Sequence, residues 1–115
     1  MPYKVEVEVL AGSAVIGKTS HDITGIGDGR TIVTTAATRV ALAASTVAKI
    51  VIITAETDNT GLIVVGGATV VAALATRQGT PLYAGESITL LIDNLADVYL
   101  DSTVSGDGVT YTYLT

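Results

Sequence analysis

The residues best equipped for chemistry lie near the start of the chain. Gly12-Ser13-Ala14-Val15-Ile16-Gly17-Lys18-Thr19 fits G-x-x-x-x-G-K-[ST], the loop whose main-chain N–H groups cradle nucleotide phosphates. It comes after a strand-like segment, and Leu90-Leu91-Ile92-Asp93 supplies an aliphatic run ending in an acid, as a Mg²⁺-holding strand would. Phosphate binding requires a helix opening at Lys18-Thr19, with its first N–H groups turned to the phosphate. The next ten residues are Ser20-His21-Asp22-Ile23-Thr24-Gly25-Ile26-Gly27-Asp28-Gly29, with three glycines in the last five, and no helix starts there. The alternation of strands and helices that builds the host sheet is also missing. The match is read as coincidence.

The other constellations are weaker. Gly25-Ile26-Gly27-Asp28-Gly29 lacks the helix and spaced acid of a dinucleotide loop and the Asp ladder of a calcium loop, and reads as a flexible turn. Asp93, Asp97, Asp101 and Asp107 would bind Ca²⁺ weakly if they gathered at one edge; solvated turn residues are the expectation. His21 is the sole histidine and the chain has no Cys, so a zinc site has too few ligands. Ser20, His21 and Asp22 are adjacent in a loop, where relay geometry is rarely reached, and no nucleophile elbow is present. Paired carboxylates for glycoside hydrolysis would need an aromatic-lined cleft, and the only aromatics are five Tyr. No catalytic, cofactor-binding or metal-binding residue is assigned, no cofactor is expected, and the chain is read as a non-enzyme.

Composition bounds the partners. Only 15% of the 115 residues are charged, against roughly 25% in an ordinary domain. A folded monomer of 11.7 kDa exposes about 5,900 Å², so each charge serves roughly 350 Å² instead of about 200 Å². Much of the surface must be threonine, glycine and aliphatic carbon, as suits a chain that faces other protein. A net charge of −5, with Lys4, Lys18, Arg30, Arg39, Lys49 and Arg77 scattered, argues against nucleic acid. The most apolar window, residues 61–75, is too short for a span and broken by Gly66-Gly67, so it reads as two strands and a turn. MPYKVEVEVL is no signal peptide, and a soluble protein made inside the cell is expected.

Period-two patterning names the elements. Tyr3, Val5, Val7 and Val9 oppose Lys4, Glu6 and Glu8; Val109, Tyr111 and Tyr113 oppose Thr110 and Thr112; Ile88, Leu90 and Ile92 alternate with Thr89, Leu91 and Asp93. Residues 50–53 and 62–65 are apolar on both faces, as in central strands. Eighteen Thr join Val and Ile in resisting helix, even over the Ala-rich residues 35–48. Turns fall at Asp58-Asn59-Thr60-Gly61, Gly66-Gly67, Pro81 to Gly85, Asp93-Asn94 and Ser105-Gly106-Asp107-Gly108. Eight or nine strands result, which predicts an all-β, jelly-roll-like β-sandwich. Residues 1–30 read as an N-terminal strand and a Gly-rich arm or loop, and residues 31–115 as the sandwich domain.

From about Val40 onward the order of features resembles a known family. A two-faced strand (Lys49-Ile50-Val51-Ile52-Ile53-Thr54-Ala55) precedes Thr57-Asp58-Asn59-Thr60-Gly61-Leu62-Ile63-Val64-Val65-Gly66. Then come Gly79-Thr80-Pro81-Leu82-Tyr83-Ala84-Gly85-Glu86-Ser87-Ile88, Ile92-Asp93-Asn94-Leu95-Ala96-Asp97-Val98-Tyr99-Leu100-Asp101 and Gly106-Asp107-Gly108-Val109-Thr110-Tyr111-Thr112-Tyr113. These motifs, over the last two thirds of the chain, resemble tailed-bacteriophage head decoration (cement) proteins and the base modules of head fibres and spikes. The resemblance implies a virion protein, a homo-oligomer and often a trimer, seated on the outer surface of the major capsid protein lattice. It implies no catalytic residue.

A charge-poor, Thr/Val/Ala-rich surface loses little on desolvation, which suits that role. The first strand and residues 12–30 are expected to reach a neighbouring subunit or the capsid floor, with strand edges open to β-augmentation. Two other roles compete: a collar, tail or fibre-base module of the virion, and a host-surface or carbohydrate-binding module using Tyr83, Tyr99, Tyr111 and Tyr113. Neither membrane nor nucleic acid is an expected partner.

Overall fold

The β-branched runs become strands wherever turn residues free their ends. Residues 22–115 are described by a computed structural model, and they form eight strands. These are β1 (Ile26–Ile32), β2 (Val40–Ala41), β3 (Ile50–Ala55), β4 (Ile63–Gly66), β5 (Thr80–Leu82), β6 (Ser87–Leu91), β7 (Tyr99–Ser102) and β8 (Gly108–Leu114). Two antiparallel sheets of four strands face each other: sheet A in the order β1-β8-β3-β6, sheet B in the order β2-β7-β4-β5. Successive strands mostly change sheets and the first pairs with the last, which is the jelly-roll arrangement. Among the described residues no helix is long and apolar enough to cross a membrane.

Register sets what each sheet turns inward. Val51 lies opposite Tyr113 and Leu90, Ile53 opposite Tyr111 and Ile88, and Ala55 opposite Val109. These side chains meet Ile63, Val65, Leu82 and Leu100 of sheet B in one core. On β1 the inward positions opposite the tyrosines are Gly27 and Gly29. A Cβ at either would clash with the phenol end of Tyr113 or Tyr111, so the glycines let both rings lie across the edge strand. The ring centroids are 6.1 Å apart, tilted by 31°.

The two apolar-faced strands differ in what covers their second face. Both are central, β3 between β8 and β6 and β4 between β7 and β5. On β4, residues Ile63, Val64 and Val65 are all buried. The chain leaves β4 at Gly66, loops over the outer face of sheet B and returns at Thr80. Val70 and Ala72 of that loop pack with Leu62, Val64 and Tyr99 in a second apolar cluster. Asp101, buried on β7, holds the loop by accepting from the Ala72 N–H (2.9 Å), and Arg39 donates to the Val70 carbonyl (3.3 Å). The return requires glycine: Gly79 has φ of +113°, and a Cβ there would lie 2.7–2.8 Å from Val64, Val70 and the Val65 carbonyl.

Three sequence readings change. Residues 26–30, expected in a Gly-rich arm, are most of β1, paired along its length with β8, so the strand crosses the anticipated boundary at residue 30. Glycine count misleads here because two of those glycines serve close packing under tyrosine rings. Residues 61–75 give one strand and a covering loop instead of two strands, since Val70 and Ala72 bury themselves on Val64. Pro81, read as part of a turn, lies in β5, an edge strand where the missing N–H costs no ladder bond. The expected strand at Tyr3 to Val9 lies outside the described residues.

Candidate interaction surface

The residues singled out for chemistry disperse. Gly12 to Thr19, Ser20 and His21 lie outside the described residues, and Asp22 is exposed. Leu90 and Leu91 end an edge strand of an antiparallel sheet, not the parallel sheet that houses a phosphate loop. Asp93 and Asp97 are both exposed, as expected of solvated residues, whereas Asp101 and Asp107 are buried, which corrects that reading for these two. Each buried carboxylate accepts main-chain N–H bonds: Asp101 from Ala72 and Ser102, Asp107 from Thr60 (3.2 Å) and Gly61 (2.8 Å). Among the described residues no three His, Cys, Asp or Glu side chains are grouped to hold a metal ion.

The motif residues turn out to be latches between loops. Asn59 donates to the Gly108 carbonyl (2.9 Å) and accepts from the Gly108 N–H (3.0 Å), imitating a strand pair. With Asp107 on Thr60 and Gly61, the Asp-Asn-Thr-Gly and Gly-Asp-Gly segments form one unit although 49 residues separate Asn59 from Gly108. Asn94 accepts from the N–H groups of Thr46 (3.0 Å) and Ala96 (2.9 Å) and donates to Ser45 Oγ (3.1 Å). Glu86 accepts from the Tyr83 N–H (2.8 Å) and so closes the turn before β6. These polar side chains are committed to backbone, where each bond is worth about 1 kcal/mol net and its loss up to about 3.

Among the described residues, the outer face of sheet A is left open. Side chains there fall in rows across the four strands: Ile26, Leu114, Ile50 and Leu91; then Asp28, Thr112, Ile52 and Thr89; then Arg30, Thr110, Thr54 and Ser87. The first row is wholly aliphatic, with Ile26 75% and Leu91 81% exposed, and Ile52 in the second row is 39% exposed. Strands β3, β6 and β8 contain no charged residue. Arg30 donates to both carboxylate oxygens of Glu56, and that bond and charge raise the guanidinium pKa further. Two shallow depressions, about 500 and 450 Å³, flank Arg30 and are floored by Thr54 and Thr110, with Ile52 and Thr112 in the larger.

Of the tyrosines weighed for sugar binding, only Tyr83 is largely exposed; Tyr99 packs on the second cluster, and Tyr111 and Tyr113 pack against the main core. Burial pushes the Tyr111 phenol above its ordinary range, aided by Tyr113 and opposed by a hydrogen bond with Thr31. The four make no aromatic platform. What the sequence reading missed is which face would be left open. The signal was present in β6, where Leu91 breaks the alternation and has no inward place to go. No protein-family model, curated protein or solved structure matches the chain.

Proposed function

We propose that the protein is a non-enzymatic virion structural protein, a capsid decoration (cement) protein that binds the outer surface of the major capsid protein lattice and stabilises the head. The single observation that supports this most is the outer face of sheet A, which the described residues leave uncovered and nearly free of charge on a chain short of charge throughout. Such a face gives up little hydration when another protein covers it, and its aliphatic row adds a hydrophobic gain of about 25 cal/mol per Å². The motif order from Val40 onward supports the same assignment, with a homo-oligomer, a trimer by resemblance, as the working form. A sugar-binding role has less support, because three of the four tyrosines are committed to packing.

The test is co-sedimentation of the purified chain with capsid shells that lack it, counted per particle. Binding in hundreds of copies, with a raised shell disruption temperature, is the expected result. Failure to co-sediment overturns the proposal. Saturation at a few to tens of copies assigns the chain to a collar, tail or fibre base instead.

A further inference from the structure

The two sheets end differently. Sheet B ends in β2 and β5, of two and three residues, and β5 carries Pro81, so little ladder is offered at either edge. Sheet A ends in β1 and β6, of seven and five residues. Ladder phase shows which groups remain free among the described residues. Gly25 and Thr115 exchange main-chain bonds, so the odd residues of β1 bond to β8 and Ile26, Asp28, Arg30 and Ile32 face outward. The Ile92 N–H reaches the Lys49 carbonyl and the Ala55 N–H the Glu86 carbonyl, so the even residues of β6 bond to β3. Ser87, Thr89 and Leu91 then point their N–H and C=O groups past the edge.

These free positions are blunted on β1 and not on β6. The β1 edge carries Asp28 and Arg30, the kind of charge that keeps edges from pairing. The β6 edge has no charge, no proline and no bulge, and its side chains alternate cleanly in register with β3. Ile88 and Leu90 are only half-buried at the inner side of this edge, and Leu91 is 81% exposed on the outer side.

We infer that β6 is a self-association edge whose occupant is the β6 strand of a second copy, antiparallel and centred on Thr89. In that register Thr89 faces its own counterpart and Ser87 faces Leu91, which closes about six main-chain hydrogen bonds about a two-fold axis. Ile88 then lies opposite the second copy's Leu90 on the inner side, covering the half-buried pair, and no charge within the paired strands meets its like. A five-residue strand pair buries well under the ~800 Å² per partner of a standard stable interface. The contact is therefore weak in dilute solution and strengthened where copies are held side by side. A two-fold contact cannot itself build a trimer, so where trimers form this edge joins one trimer to the next. The inference stands on the strand alone and does not depend on the capsid assignment.

Sedimentation of the intact protein from about 10 µM to 1 mM tests it without capsids. The expected result is a mass that doubles with concentration, while Thr89→Pro and Leu91→Lys keep the lower mass throughout. An edge strand tolerates proline where the N–H faces outward, and unchanged circular dichroism and thermal midpoint separate lost pairing from lost folding. As a second readout on the wild type, the Thr89 and Leu91 amides become protected from hydrogen exchange as concentration rises. A constant mass up to 1 mM, or a doubling that survives both variants, overturns the inference. Loss of capsid binding with the doubling intact would count against the capsid assignment alone.

Discussion

Sheets A and B use similar residues and end in opposite conditions. On sheet B, Val64 and Tyr99 face outward and are covered by the loop of residues 67–79, which Asp101 and Arg39 fasten down. On sheet A, Ile26, Ile52 and Leu91 face outward, and among the described residues nothing covers them. A two-faced apolar strand is therefore not by itself a sign of a closed interior. Sheet B completes its burial within the chain; the outer face of sheet A is left open by the described residues, and the proposed function gives that face to a partner.

The largest test of that contrast compares the two central strands. Val64→Ala on β4 is expected to cost about 1.5–3 kcal/mol, because this outward side chain is fully buried under the covering loop. Ile52→Ala on β3 is expected to cost less than about 1 kcal/mol, its side chain being 39% exposed. Urea midpoints at constant m-value measure both. Equal losses would erase the distinction between the sheets.

A smaller effect separates committed from uncommitted carboxylates. Asp107→Ala leaves the Thr60 and Gly61 N–H groups without their acceptor at a buried position, with an expected cost of about 1–3 kcal/mol. Asp28→Ala, exposed on the outer face of sheet A, is expected to stay within about 0.5 kcal/mol. The same denaturant series reads both.

The smallest effect is at high pH. Tyr111 has a raised pKa in the folded protein, so its neutral form is favoured there relative to the unfolded chain. That contribution is complete below about pH 10 and is lost as pH climbs through the raised folded value. Stability should fall across this alkaline window, and Tyr111→Phe should flatten the fall. A steeper fall in the variant would contradict the assignment of burial as the cause.

Much of the fold could be read from residue order, because period two is a direct image of the pleat. Residues 50–53, 62–65, 88–91 and 109–113 announced β3, β4, β6 and β8. What failed had long-range causes. Gly27 and Gly29 looked like loop residues because nothing local shows that Tyr113 and Tyr111 come to lie on them. Val70 and Ala72 looked like a strand because their partner, Val64, is reached by a loop and not by a ladder. Asp101 and Asp107 looked solvated because their acceptor role depends on N–H groups 29 to 47 residues away. The candidate surface was legible only as a deficit of charge. Which face carried it required the register.

The most direct test of the central claim, that sheet A is the side that meets a partner, is capsid co-sedimentation of Ile52→Lys beside Leu74→Lys. Leu74 is 80% exposed in the short 3-10 turn of the loop that covers sheet B, so it is the more exposed side chain of the two. The account predicts that Ile52→Lys weakens binding at least about ten-fold, by placing a charge at the centre of the buried face, while Leu74→Lys binds as the wild type does. Undiminished binding by Ile52→Lys, or loss confined to Leu74→Lys, would contradict it.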